Sequence, residues 1–230
     1  MAEKQHFKGD QKVPLRSPLA AGERRIIQYL VPRLPGWIEG YQLTLTTILW
    51  SAGVLAAGYL ARRNLNWLWL ASAMLFMQWF TDSLDGALGK YRDFGIPKWG
   101  YYMDHLLDYL FMAAALGGYA LLFDGRDRTL WLVMIAVFGA FMVNSFLSFA
   151  ATGEFKITFL GTGPTESRLA LIILNTLIII FGTGFVQVAL PYAPYVLGSA
   201  FIIVVYSTQR HIWQLDMEDK RRRGQGRKDV

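Results

Sequence analysis

Residues Asp82 to Asp108 read DSLDGALGKYRDFGIPKWGYYMDHLLD and place two pairs of aspartates, with glycines between them, inside an otherwise strongly apolar chain. Asp82 and Asp85 stand three apart and Asp104 and Asp108 four apart, so on helices each pair lies on one face, about one turn from its mate. Residues 65–81 before the stretch and 109–123 after it carry no charge. The stretch is therefore the end of one apolar helix, a short connection and the start of the next, with the two ends facing each other. An ionisable side chain at membrane depth costs at least about 2.5 kcal/mol, and four neighbouring carboxylates repel one another. Two divalent cations would neutralise them, and an all-oxygen donor set suits hard ions such as Mg2+, Mn2+ or Ca2+. One reading is thus a two-metal site on Asp82, Asp85, Asp104 and Asp108. The other is a set of helix caps or a salt-bridge network with Lys90, Arg92 and Lys98.

The remainder of the 230-residue chain decides the class. Its hydrophobic content is 53%, gathered into long runs without charge, which points to membrane spans rather than to one soluble core. The formal net charge of +6 lies outside those runs and accompanies no nucleic-acid-binding motif, so no nucleic-acid partner is expected. With no cysteine, disulfides, zinc-thiolate sites and cysteine nucleophiles are excluded. The N-terminal segment is polar for longer than the charged region of a signal peptide, and no short apolar core follows it. Insertion is expected to come from internal helices.

Along the chain, residues 1–18 have the composition of a disordered tail. Residues 19–36 mix Ile26, Ile27, Leu30 and Val31 with Arg24, Arg25 and Arg33, as an amphipathic helix in the membrane interface would; an ordinary surface helix is the plain alternative. Pro35 and Gly36 end it, and Trp37 and Tyr41 supply interfacial anchors. Residues 37–215 form the membrane domain, with six spans expected near 40–61, 65–88, 99–123, 129–151, 165–190 and 194–214. The last two are one uncharged run divided by the Pro191 to Pro194 turn. Residues 216–230 are a basic tail. All lysines and arginines except Arg62, Arg63, Arg126 and Arg128 fall in the N-terminus, the second and fourth connections and the C-terminus. By the positive-inside rule those segments, and the aspartates with them, face the cytoplasm.

The pattern D-x2-D-G-x2-(A-R)-x8 or x9-G-x3-D-x3-D, filled here at its six fixed positions by Asp82, Asp85, Gly86, Gly100, Asp104 and Asp108, resembles the signature of the CDP-alcohol phosphotransferases. These are integral membrane enzymes of phospholipid synthesis. The resemblance implies two divalent cations, Mg2+ or Mn2+, on the four aspartates. It also implies a nucleotide lying against Asp85, Gly86, Gly89, Lys90 and Gly100, where glycines alone would equally serve close helix packing. The chain departs from the family at Gly89-Lys90, which replaces Ala-Arg, and lysine lacks the planar fork that grips phosphate bidentately. The string DHLLD at Asp104 to Asp108 looks like one in the choline and ethanolamine branch, and His105 in it is either a polar boundary residue or a base. GPTE at Gly163 to Glu166 resembles a string of the same branch. It implies that Thr165, Glu166 and Arg168 line the site, beside the plain reading of a helix start.

Taken together, these features predict an all-α integral membrane enzyme of six transmembrane helices with an N-terminal interfacial amphipathic helix. It would move a substituted phosphate from a CDP-alcohol to a hydroxyl acceptor and release CMP, one substrate being a membrane lipid. Asp108, by family analogy, or His105 would take the acceptor's proton, and Arg92 is a further candidate for the phosphate contact. The family implies a homodimer. A divalent-cation transporter or a non-catalytic membrane protein is the competing class. A transporter would carry polar groups through the full membrane depth, whereas this chain gathers its acids near one face.

Overall fold

The computed structural model describes residues 20–92, 96–153 and 164–226. Among them there are helices and no strand. The helices are α1 (Ala20–Leu30), α2 (Gly40–Ala61), α3 (Leu68–Arg92), α4 (Pro97–Leu122), α5 (Gly125–Thr152), α6 (Pro164–Phe181), α7 (Gly184–Ala189) and α8 (Ala193–Gly226). The tail expected over 1–18 and the glycines Gly161 and Gly163 lie outside the described residues.

Local sequence sets the helix ends. Glu39 and Gln42 form a reciprocal capping box at the start of α2, with the Gln42 side chain accepting from the Glu39 amide at 2.9 Å. Pro97 opens α4, where a missing amide hydrogen is harmless. Gly153 (φ +73°) ends α5 in the left-handed conformation that glycine adopts without strain.

α2 is the central element, packed against both α3 and α4; α4 continues onto α5, α3 onto α6 and α5 onto α8. Where α2 crosses α4, a Cβ on Gly58 would collide with the backbone of Gly118, so glycine here serves close helix approach. The largest core cluster lies away from the aspartates and includes Ala57, Leu68, Leu116, Tyr119, Trp131 and Ile178. A smaller one joins Ile27 and Val31 to Leu84 and Leu88, holding α1 and the turn after it against α3 beside Asp85.

Among the described residues, four helical stretches are long and apolar enough to cross a membrane: Gly40–Ala61, Pro97–Leu122, Gly125–Thr152 and Gly184–Arg223. Their outward faces are apolar, as with Ile202 and Ile203 of α8, 68% and 63% exposed. Such surface suits lipid better than water. α3 and α6 are not among the four, and the second half of α3 carries Gln78, Asp82, Ser83 and Asp85.

Two expected boundaries move. The long uncharged run turns at Gly182 (φ +76°), whose amide donates to the Ile178 carbonyl at 2.9 Å, and not at Pro191 to Pro194. The two prolines sit instead in a helical turn, Leu190–Tyr192, and in the first turn of α8. Proline tolerates a helix start, so the pair there leads into α8 where it was expected to break the run. The tail expected from residue 216 is, as far as Gly226, the continuation of the 34-residue α8, a helix about 50 Å long.

Candidate active site

Three helices converge on the aspartates. α3 carries Asp82 and Asp85, α4 carries Asp104 and Asp108, and α6 carries Arg168. One carboxylate oxygen from each of Asp82, Asp104 and Asp108 lies within 4.8 Å of the others. The buried Arg168 guanidinium donates from Nη2 to Asp82 Oδ2 at 3.0 Å and to Asp108 Oδ1 at 3.2 Å. These charge-assisted bonds offset part of the carboxylates' repulsion. Asp108 Oδ1 also accepts from Gln78 Nε2 at 3.3 Å.

Asp85 sits outside that group of three. Its carboxylate accepts the Thr44 hydroxyl at 2.6 Å and the Gly86 amide hydrogen. The start of α2 presses closely here, since a Cβ on Gly40 would lie 3.0 Å from the Asp85 carbonyl oxygen. The four expected ligands thus resolve into a cluster of three and a fourth carboxylate anchored to α2. The donor set of the cluster is all carboxylate oxygen, which fits a hard divalent cation.

A family model, that of the CDP-alcohol phosphatidyltransferases, matches residues 40–206, from the start of α2 into α8. The chain belongs to the CDP-alcohol phosphatidyltransferase family. That membership implies transferase activity in phospholipid synthesis, and with the four apolar helices it marks an integral membrane protein. No curated protein and no solved structure matches the chain.

In this phosphatidyltransferase family member, a Cβ added to Gly86 or Gly100 would meet no described atom within 4 Å. Packing against the described residues therefore does not demand glycine at either position, in contrast to Gly58. Gly89 lies where α2 approaches α3, its amide nitrogen 4.0 Å from a Cβ built on Gly40. Lys90 is exposed. Arg92 turns away from the aspartates and donates to the backbone carbonyls of Leu34, Pro35, Gly36 and Ile38, tying down the segment between α1 and α2.

His105 Nδ1 lies 2.7 Å from the Tyr101 carbonyl oxygen and 3.7 Å from Asp104 Oδ2. Its ring packs on Tyr101 and Phe146, so it takes part in the contact between α4 and α5 as well as bordering the acids. Of the GPTE string, Thr165 donates to Glu23 Oε2 at 3.0 Å, Glu166 lies in the first turn of α6, and Arg168 one turn further on reaches the aspartates.

Sequence reasoning missed Gln78, Thr44 and Glu23. Gln78 left a signal, a side-chain amide deep in an uncharged run, four residues before Asp82 and so on the same helical face. Glu23, an acid in a basic segment, joins α1 to both halves of the site, because its other oxygen accepts from Ser83 at 2.9 Å. Thr44 carried no local signal.

Proposed function

We propose that the protein makes a phospholipid by transferring a substituted phosphate from a CDP-alcohol to a hydroxyl acceptor. The observation that carries this reading is the convergence of Asp82, Asp104 and Asp108 from two helices, within 4.8 Å, at the family signature. The acceptor oxygen forms a new bond to the phosphorus that bears the alcohol. The bond from that phosphorus to the bridging oxygen breaks, CMP leaves with the electron pair, and the hydroxyl proton passes to a carboxylate. Asp108 fits that last role, its Oδ1 held by Gln78 and Arg168. His105 is the competitor, with Nδ1 already at the Tyr101 carbonyl.

One or two divalent cations, Mg2+ or Mn2+, held by Asp82, Asp104 and Asp108 with Asp85 as the fourth candidate ligand, would supply Lewis acidity toward the pyrophosphate. Gly86 and Gly100 leave open space beside the carboxylates for a nucleotide, and Lys90 contributes a point charge to its phosphates. The DHLLD and GPTE strings favour a CDP-linked polar headgroup with a diacylglycerol acceptor over CDP-diacylglycerol with a small alcohol.

The same reading has α3 and α6 completing a six-helix membrane core and α1 lying in the interface. The site faces the cytoplasm, and two copies of the chain associate. Purified protein supplied with Mg2+ or Mn2+ and a panel of CDP-alcohols and acceptors should release CMP with one pairing and lose that activity in excess chelator. No CMP release with any pairing, together with divalent-cation flux in vesicles, would transfer the aspartates to the transporter reading.

A further inference from the structure

Gln78 is an expensive residue for its position. It is fully buried in α3, among Leu75, Thr81 and Leu84, on a face where leucine would pack without polar atoms to satisfy. Only one end of its amide is used for a bond. Nε2 donates to Asp108 Oδ1 at 3.3 Å, while Oε1 is buried with no hydrogen-bond partner. Rotating the amide by half a turn would set two acceptors against each other, so the charge on Asp108 dictates the orientation. A buried group left half-satisfied calls for a specific reason.

That reason lies in what Asp108 must do. Its Oδ1 receives two donors, Gln78 from α3 and Arg168 from α6, while the carboxylate itself rides on α4. Arg168 is shared with Asp82, whereas the bond from Gln78 goes to Asp108. We infer that Gln78 is a positioning residue for the transfer reaction, fixing the rotation of the Asp108 carboxylate about its Cβ–Cγ bond and so the lone pair offered to the acceptor hydroxyl. The inference rests on the reading above, in which Asp108 takes the proton. Oriented partners of this kind commonly change activity or metal affinity by about 10–100-fold when removed.

Gln78→Leu tests it, with Gln78→Met as a second variant should the first fail to insert. The expected result is a Tm at or above that of the wild type, because the orphan acceptor is gone. KM for the CDP-alcohol should stay within about twofold while kcat falls about 10–100-fold. Mn2+ affinity, measured on protein without substrate, should weaken, and the same substitution on an Asp108→Asn background should change that affinity by less than about twofold, since the partner is already altered. A kcat within about threefold of wild type would overturn the inference. So would a kcat loss that tracks a lowered Tm, or additive effects on Mn2+ affinity in the double variant. A wild type that releases no CMP would instead defeat the reading of the reaction, and the Mn2+ cycle would still decide whether Gln78 acts through Asp108.

Discussion

At Asp85 a hydroxyl at 2.6 Å and the neighbouring amide fix the carboxylate against α2, while Asp82, Asp104 and Asp108 close on one another. The four acids are therefore not equivalent, and substitutions should separate them. Asp82→Ala and Asp104→Ala are expected to remove Mn2+ binding and CMP release together in a protein that still inserts. Asp108→Asn keeps the shape but not the proton acceptor, and should lower kcat by about 10²–10⁴-fold. Thr44→Val deletes the bond to Asp85 and is expected to lower kcat about 10-fold or more, with Thr44→Ser restoring it. A Thr44→Val enzyme as fast as wild type would mean that the orientation of Asp85 is immaterial. The aspartates were legible beforehand because three- and four-residue spacing on a helix is local arithmetic. Thr44 and Glu23 were not, because each acquires its role only when a segment distant in sequence folds against α3.

Among the elements, α1 is held to the site end of the molecule by three kinds of contact. Ile27 and Val31 pack against Leu84 and Leu88; Glu23 accepts from Ser83 and Thr165; and Arg92 gathers the carbonyls of the segment that follows. One guanidinium thus ties together four carbonyls of the segment between α1 and α2, two of those bonds part-buried and two exposed. This separates two cations that the sequence left in competition for a phosphate. Arg92→Ala is expected to lower Tm and to speed hydrogen exchange in α1 and residues 34–38. Lys90→Ala should leave Tm unchanged and raise KM for the CDP substrate. The opposite pattern, a stable Arg92→Ala with a raised KM beside a normal Lys90→Ala, would put the phosphate contact on Arg92. Helix positions were largely readable from charge-free runs, yet the turn before α8 was misplaced. Two prolines looked like a break, but proline fits the first turn of a helix, and Gly182 in the left-handed conformation does the breaking.

For the whole molecule, the membrane class followed from the gathering of apolar residues into long charge-free runs, which one soluble core does not require. The number of spans did not follow as directly, since α3 spends half its length on the polar residues of the site. Orientation, at this scale, rests on where lysine and arginine fall along the fold. Of the four basic residues at the end remote from the aspartates, Arg62 and Arg128 both pair with Asp124, at 3.0 and 2.7 Å. The positive-inside rule counts lysine and arginine rather than net charge, so those four still stand against a cation-rich site end, where the α8 extension adds Lys220 to Arg223. The proposed topology, with the aspartates and the end of α8 in the cytoplasm, is the one that rule favours, and labelling tests it. Because the native chain lacks cysteine, single cysteines report this without background. Asn66→Cys, exposed in the turn between α2 and α3, should react with a membrane-impermeant maleimide on intact cells. Asp219→Cys, exposed on α8, should react only after permeabilisation. The reverse labelling would place the aspartates outside, away from a cytoplasmic supply of cytidine nucleotide, and would count against the transferase reading as well as the topology.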